Sequence, residues 1–455
     1  MNLECHGPKG ISFIYDKLAA PIKTQGQTQT TVSEKAPGLL SSTPKVCGFD
    51  VYICYTQGHL IRDGLILSTL NNINAADLVP CGTAVASRQV SHQAIMSFAT
   101  ILFGIQHRQA DITRQGYAMY GVALKQLNQL LSDTTRQSHD EIIVTVAALS
   151  VSELLLPSGP NNYLTHMKGL ERLMALQDPV SFWSSKSSGF CNGVRFMILL
   201  ASFRLRKPSI LAKADWKKAM RMKCSDQELR EQDLFDVLAD CSVLIAERDS
   251  LLSAGDTIAI SLDKQRDDIE RRAISLLNFL YEWRRRWDLE NVSSEIAGCS
   301  LGFEESQPIS DEDPEQLIAT TAIPSVAAAM ELMLYNLAVL HVLQVITTLP
   351  LEGSVHLNTL QLETANECRA KERIAARELC RCIQYYLCIK RCRLDARASP
   401  ISHWAVSTTW KALRCDESIE GEWIRDLLCK KNRQLVADGL WTSYLWLNSL
   451  PEQAV

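Results

Sequence analysis

The sequence predicts an all-α protein built from many helices. From about residue 50 onward, apolar residues recur at spacings of three and four, which is the period of one face of an α-helix. Short breaks rich in Pro, Gly, Ser and Asp separate these periodic segments. No segment has the alternation of apolar and polar residues that is typical of a half-buried strand. We therefore expect more than about half of residues 50–450 in α-helices, and no sheet.

The segment ITRQGYAMYGVALKQLNQLL, residues 112–131, predicts an amphipathic helix. Its apolar residues Tyr120, Ala123, Leu127 and Leu130 recur at spacings of three and four. We expect this helix to bury one face and expose the other.

The next segment, SHDEIIVTVAALSVSELLLPSGP, predicts a central helix. Ser138 is its expected N-cap, Glu141 follows three residues later, and Pro157 lies near its end. Because this segment is apolar nearly all round, the helix should be surrounded by others.

The third segment, NNYLTHMKGLERLMALQDP, places His166 on an apolar stripe with Tyr163, Leu170 and Leu173. A histidine there either binds a metal or transfers protons, or it is a core histidine that is hydrogen-bonded to a neighbouring helix. No Glu, Asp or Cys lies at ligand spacing, so the sequence favours the core histidine.

Further helices and two polar loops are predicted along the rest of the chain. The helices cover residues 190–206, 227–252, 264–290, 325–347, 358–394, 400–413, 418–434 and 438–447. The loops cover residues 291–316 and 347–358.

The stretch at residues 332–351 carries no formal charge and is long enough to cross a bilayer. It contains Asn336, His341 and Gln344, which are costly in lipid. A helix buried on all sides in a large helical domain has the same composition. We favour the buried helix, and we expect no membrane partner.

Composition excludes several classes of protein. With 455 residues and 46% hydrophobic content, the chain is large and apolar enough to bury a sizeable core. Its net charge of −4 provides no global positive field for nucleic acid or anionic membranes. The 15 cysteines lack paired spacing, and the first residues lack the pattern of a signal peptide. We expect a protein of the cytosol or nucleus with reduced thiols.

The first fifty residues differ in composition from the rest. Residues 21–49 are rich in Thr, Gln, Ser, Gly and Pro and predict a flexible linker. Before them, Cys5 and His6 precede a Gly-Pro turn, but the next cysteine is the distant Cys47. Two ligands do not complete a tetrahedral zinc site, so this pair by itself indicates only an exposed cysteine.

Catalytic motifs are missing from the sequence. We find no Gly-rich phosphate loop, no G-x-S-x-G, no H-E-x-x-H and no zinc-ribbon cysteine pairs. The nearest candidate is QRDDIERR, where Asp267, Asp268 and Glu270 would bind magnesium-bridged pyrophosphate if the chain were a helical isoprenoid enzyme. The arginines around these acids favour a solvated face with ion pairs. We therefore predict no catalytic, cofactor-binding or metal-binding residues, no cofactor and no enzyme activity.

The densest cysteine patch is RELCRCIQYYLCIKRCR, with Cys380, Cys382, Cys388 and Cys392. These residues do not all share one helix face, so a metal site would need distant partners. Cysteine as a small buried hydrophobic residue is the simpler interpretation.

A basic stretch, residues 204–223, holds eight Lys and Arg against one Asp. Such local charge would contact phosphates without sequence preference. A solvated surface face is the more common role, and the sequence favours it.

Several blocks together resemble the regulatory region of fungal binuclear zinc-cluster transcription factors. They are SHQAIMSFATILFGIQHRQ, YAMYGVALKQLNQLLSD and YLTHMKGLERLMALQDP, in that order. The residues at the pattern positions are Gly104, His107, Tyr120, Gly121, Ala123, Leu124, His166 and Gly169. The late segment HWAVSTTWKALRCDESIEGEWIRDLL is similar to the family's Trp-Ile-x-x-Leu-Leu helix, with Trp423 and Leu427.

The start of the chain resembles the exit of the family's zinc cluster. In LECHGPKG, Cys5 stands where the last cysteine ligand of that cluster would be, which makes residues 1–20 a remnant of the cluster exit. The other five cysteines and their basic helix are missing from this sequence. The resemblance therefore implies a regulator whose DNA reader is lost, trimmed or encoded upstream.

The resemblance implies that residues 50–455 form a large multi-helix regulatory domain of fungal transcription factors. The expected function is transcription regulation in the nucleus, with control of a metabolic or secondary-metabolite pathway. The expected partners are other transcription proteins, a second copy of the chain or a small-molecule effector. DNA is a partner only if a zinc cluster is supplied upstream or by a partner. Two alternatives remain: the magnesium-dependent isoprenoid enzyme, and a scaffold that competes with full-length relatives.

Overall fold

The computed structural model describes eleven stretches of the chain. They are residues 48–59, 90–132, 139–156, 158–159, 161–184, 188–222, 224–253, 259–298, 323–349, 359–392 and 400–429. The cluster remnant with Cys5, the linker up to residue 47 and the helix predicted at 438–447 lie outside these residues.

The described residues form 14 α-helices, one short 3₁₀ helix and no strands, which confirms the all-α prediction. The first seven helices are α1 Gly48–His59, α2 Val90–Gln106, α3 Ala110–Ser132, α4 His139–Leu155, α5 Asn162–Ala175, α6 Pro179–Ser184 and α7 Ser188–Leu205. After the 3₁₀ helix Ile210–Ala212 follow α8 Ala214–Arg221, α9 Asp226–Ser253, α10 Ala259–Gly298, α11 Val326–Thr347, α12 Thr359–Cys392, α13 Pro400–Leu413 and α14 Ile419–Cys429.

Helix α2 lies at the centre of the first group of helices and packs against α1, α3 and α4. Its contact with α3 is unusually close at two glycines. A Cβ on Gly104 would lie 2.6 Å from the backbone nitrogen of Thr113, and one on Gly116 would lie 2.8 Å from that of Ile101. Only glycine lets two helix backbones approach this closely.

Helix α11 is the centre of the second group and packs against α9, α10, α12 and α13. It is the one helix among the described residues that is long and apolar enough to cross a membrane. In the structure, 72% of the 18-residue apolar segment of this helix is buried inside the protein. The prediction that residues 332–347 form a buried helix is therefore confirmed.

Helix α7 joins the two groups. It contacts α5 on one side and α9 and α13 on the other. The hydroxyl of Tyr163 in α5 donates a hydrogen bond of 2.6 Å to the carbonyl oxygen of Met197 in α7. Buried apolar side chains form one cluster that extends from Ile53 in α1 to Leu427 in α14.

The predicted loop at 291–316 is wrong in its first part, because α10 continues to Gly298. One tertiary contact and one contact within the helix lie at its predicted end. The indole nitrogen of Trp287 donates to Glu331 at 2.7 Å, and the Asn291 side-chain amide donates back to the carbonyl of Trp287 at 2.8 Å. The bond between Trp287 and Glu331 joins residues that are far apart in the sequence, so the local pattern does not indicate it.

The short helices α6 and α8 were not predicted. In α6, Asp178 accepts a hydrogen bond of 2.8 Å from the backbone nitrogen of Ser181, and Pro179 occupies the first helical position. This Asp-Pro pair follows α5 closely and begins a new helix. The second, α8, lies inside the basic stretch and buries Trp216.

Candidate functional site

Two residues of the family pattern meet in a buried hydrogen-bond network between α3, α4 and α5. The ring Nε2 of His166 lies 3.0 Å from the hydroxyl oxygen of Tyr120. That hydroxyl donates a hydrogen bond of 2.7 Å to Glu153. Ser158 donates to both oxygens of the same carboxylate, from its hydroxyl at 2.6 Å and from its backbone nitrogen at 2.9 Å.

His166 is a core histidine, as the sequence favoured. It is 7% exposed, and burial lowers its pKa from 6.5 to about 4. The neutral ring donates from Nε2 to the Tyr120 oxygen, because the tyrosine hydrogen already points to Glu153. The network therefore holds three helices in register. The sequence pattern does not indicate Glu153, because its pairing with Tyr120 depends on how α3 and α4 cross.

The other pattern residues have different roles. The His107 ring stacks on Phe103 at 4.2 Å and contacts Tyr55 of α1 at 5.0 Å. Added Cβ atoms on Gly121 and Gly169 would meet nothing within 4 Å. Packing in this chain therefore explains why residue 104 is a glycine. It does not explain why glycine is found at positions 121 and 169.

The late family-like segment docks on α12 through Glu420. This carboxylate accepts hydrogen bonds of 2.9 Å from both Arg377 and Arg381, and it is 2% exposed. Next to it, a Cβ on Gly421 would lie 2.3 Å from the carbonyl oxygen of Asp416. Leu427 is buried in the core.

The acidic candidate for pyrophosphate binding lies on the outer surface of α10. Asp267 is 59% exposed and pairs with Arg266 at 3.0 Å. Asp268 is 46% exposed and pairs with Arg271 and Arg272, at 3.2 and 2.8 Å. The predicted solvated face with ion pairs is confirmed. No group of three or more metal-binding side chains occurs within the described stretches.

The basic stretch at 204–223 is not a simple solvated face, which corrects our interpretation. Two of its cations, Lys217 and Arg221, pair with an acidic stripe on α9, whereas Lys207, Lys213 and Lys218 are exposed. Lys217 bonds Asp240 at 2.5 Å, and Arg221 bonds Asp233 and Asp236 at 2.7 Å each. Part of its charge is therefore neutralised within the protein.

The cysteine patch follows the simpler interpretation where the structure describes it. Cys380 and Cys382 are both fully buried. Burial raises the pKa of both thiols well above the ordinary range, which keeps them protonated. Cys388 is partly buried, and the side chain of Cys392 lies outside the described residues.

The three polar residues of the apolar helix α11 line two cavities. Asn336 lines a cavity of about 460 Å³ beside α10 and α12, which we call the Asn336 cavity. His341 and Gln344 line a second cavity of about 280 Å³ between α7, α11 and α13, which we call the cationic cavity. Asn336, His341 and Gln344, which would be costly in lipid, thus line cavities of the helical body.

The cationic cavity has a positive rim and an aromatic wall. Arg204, Arg206 and Lys411 line it together with one carboxylate, Glu372. The Lys411 pKa is lowered by burial and by the positive charges of the two arginines. Burial also raises the pKa of Glu372, which accepts a hydrogen bond of 3.1 Å from Thr347.

The aromatic wall is formed by Phe203, Trp404 and His341. The Phe203 ring centroid lies 5.0 Å from that of Trp404 and 4.3 Å from that of His341. The indole nitrogen of Trp404 donates to Nε2 of His341 at 3.1 Å. The His341 pKa is lowered to about 3 by burial and by nearby Lys411 and Arg206, so its ring is neutral.

Apart from Lys371, the charged residues of the Asn336 cavity are paired. Arg284 bonds Glu378 at 2.7 Å, while Arg377 and Arg381 bond the buried Glu420. The side-chain oxygen of Asn336 has no hydrogen-bond partner. This cavity therefore offers a buried acceptor and aromatic surface but little unbalanced charge.

Comparison with protein families matches residues 81–359 to the fungal specific transcription factor domain. No curated protein and no solved structure matches the chain significantly. The matched residues contain the Tyr120–His166 network and the α7 and α11 walls of the cationic cavity. The α13 wall, with Trp404 and Lys411, lies beyond the match.

Proposed function

The chain belongs to the fungal-specific transcription factor domain family, and we propose that it is a nuclear regulator of a metabolic or secondary-metabolite pathway. The match over residues 81–359 carries this proposal, because it covers more than half of the chain. The helical body acts through other transcription proteins, self-association or a small effector. It catalyses no reaction.

We also propose that promoter sequence is read by a zinc cluster upstream or in a partner. Sequence-specific DNA-binding proteins place a rigid basic element against the base edges. Pairing of the 204–223 cations with Asp233, Asp236 and Asp240 supports this, since it leaves less charge for phosphates.

The proposal is tested by tethering the full chain to an unrelated DNA-binding domain upstream of a reporter gene. We expect reporter output to change relative to the DNA-binding domain alone, and a fluorescent fusion to accumulate in the nucleus. The fold-disrupted control is Leu337→Asp, which places a charge at a fully buried position of α11. Unchanged reporter output together with a cytosolic fusion would contradict the proposal.

Two further measurements separate the alternatives. The double variant Asp267→Asn, Asp268→Asn should leave reporter output unchanged, because both acids lie on an ion-paired surface. An isoprenoid enzyme would lose its function with this change. A competitor scaffold would bind full-length relatives but leave the tethered reporter silent. For the pathway, deletion of the gene should change the transcripts of one group of metabolic genes together.

A further inference from the structure

We propose that the cationic cavity binds a small organic anion, namely a carboxylate attached to an apolar or aromatic body. Three cations and an aromatic wall line one partly open cavity between α7, α11 and α13. The regulatory meaning of such a ligand rests on the proposed function, whereas binding itself does not.

The protein does not fully balance the charges of Arg206 and Lys411 at this cavity. Asp249, the partner of Arg206, is shared with Arg248, whose guanidinium donates to it at 2.8 and 3.1 Å. One carboxylate therefore serves two guanidinium groups. Within the described part of the chain, no carboxylate lies within salt-bridge distance of Lys411. Glu372 is the one acid among the lining residues, and burial favours its protonated form.

An anion would relieve this imbalance. Lys411 lies beside Arg204 and Arg206, and like charges at this range repel one another. A carboxylate among them replaces repulsion with charge-assisted hydrogen bonds. The hydroxyl groups of Ser407 and Thr408 line the same space and provide further donors.

The aromatic wall selects an apolar body for the anion. Trp404 and Phe203 line the cavity but are only 4% and 9% exposed, so a ligand would contact the edges of the two rings. His341 adds no charge, because its ring is neutral and its Nε2 accepts the Trp404 hydrogen. Inorganic anions would gain only the cationic rim, whereas an aryl or branched carboxylate gains both rim and wall.

The volume limits the size of the ligand. Pockets for small molecules usually measure about 300–1,000 Å³, and this one, at about 280 Å³, is near the lower limit. A body of one or two rings fits, while a nucleotide or a lipid tail does not. The ligand would bridge α7, α11 and α13, so binding would stabilise the packing between the two helix groups.

Isothermal titration calorimetry of the full chain with naphthoate tests the site. The neutral analogue naphthalenemethanol has nearly the same shape and no charge. We expect naphthoate to bind at least about tenfold more tightly than naphthalenemethanol, a ratio that corresponds to about 1.4 kcal/mol.

Variants then assign binding to this cavity. Lys411→Met and Arg204→Met should each weaken naphthoate binding by about tenfold, whereas Lys411→Arg should retain it. The matched control is Lys168→Met, an exposed lysine of α5 outside the cavity. Circular dichroism checks that each variant is folded. Absence of naphthoate binding to the wild-type chain would overturn the inference, as would equal affinity of wild-type and Lys411→Met protein.

The calorimetric result is independent of the tethered reporter. A chain that changes reporter output but binds no naphthoate would refute the anion site and leave the regulator proposal intact. A chain that binds naphthoate through Lys411 but leaves reporter output unchanged would refute the regulator proposal and leave the anion site intact.

Discussion

Replacing Gly116 by alanine should loosen the α2–α3 pair, whereas the same change at Gly121 should not. Both glycines lie inside α3, five residues apart in the sequence. A Cβ on Gly116 would lie 2.6 Å from Cγ1 and 2.8 Å from the backbone nitrogen of Ile101 in α2. A Cβ on Gly121 would meet nothing within 4 Å. Because a backbone atom cannot rotate away, the two helices must separate at Gly116.

The matched pair isolates the steric cost. Alanine is favoured over glycine inside a helix by roughly 0.5–1 kcal/mol, and this gain applies at both positions. Overpacking a tight contact costs about 1–3 kcal/mol. Since the helix-propensity gain cancels in the comparison, the unfolding free energy of Gly116→Ala should be about 1–3 kcal/mol lower than that of Gly121→Ala. Gly121→Ala itself should be slightly more stable than the wild type.

Urea unfolding followed by far-ultraviolet circular dichroism measures this difference. Hydrogen exchange of the α2 amides localises it, and we expect faster exchange around Ile101 in Gly116→Ala alone. Equal unfolding free energies for the two variants would refute the reasoning, because they would mean that α2 and α3 do not approach as closely as the structure places them.

The remaining predictions concern the buried network and DNA. Tyr120→Phe should cost about 1–3 kcal/mol in urea unfolding, because the buried His166 loses its partner. The pKa of His166 is lower in the folded protein than in the unfolded chain. His166 therefore contributes its full stabilisation above pH 6.5, and this contribution is lost as the pH falls toward about 4. The free energy of unfolding decreases by at most about 1.4 kcal/mol per pH unit from this group. In His166→Asn, the free energy of unfolding should depend less steeply on pH. The purified chain should contain no stoichiometric zinc by metal analysis. In binding assays at physiological salt it should not prefer CGG half-sites to scrambled DNA, and any affinity from residues 204–223 should decrease steeply with salt. A sequence preference of about a thousandfold would show a DNA-reading element that we have missed.

Several features of the fold could be predicted because they depend on local periodicity. The all-round apolar composition of residues 332–347 predicted a central helix, and α11 lies in that position. An isolated histidine on an apolar stripe predicted that His166 would be hydrogen-bonded in the core, as observed. In both cases the residues that carry the signal lie within a few turns of one helix.

Other features could not be predicted, because their residues are far apart in the sequence. Arg204 and Lys411 line one cavity from two different helices. Lys217 and Asp240 pair across α8 and α9, so a stretch that looked uniformly basic is neutralised in part. Nothing in the local pattern of either partner indicates the other.

The sequence by itself determined the helical class, the burial of most helix faces and the family, since each of these is written in short-range spacing of residue types. Only the tertiary structure decided that Gly116 must stay small while Gly121 need not, and that Asn336, His341 and Gln344 line cavities. These outcomes depend on the angles and distances at which helices cross. Crossing geometry is set by the packing of all the side chains together, so no single segment encodes it.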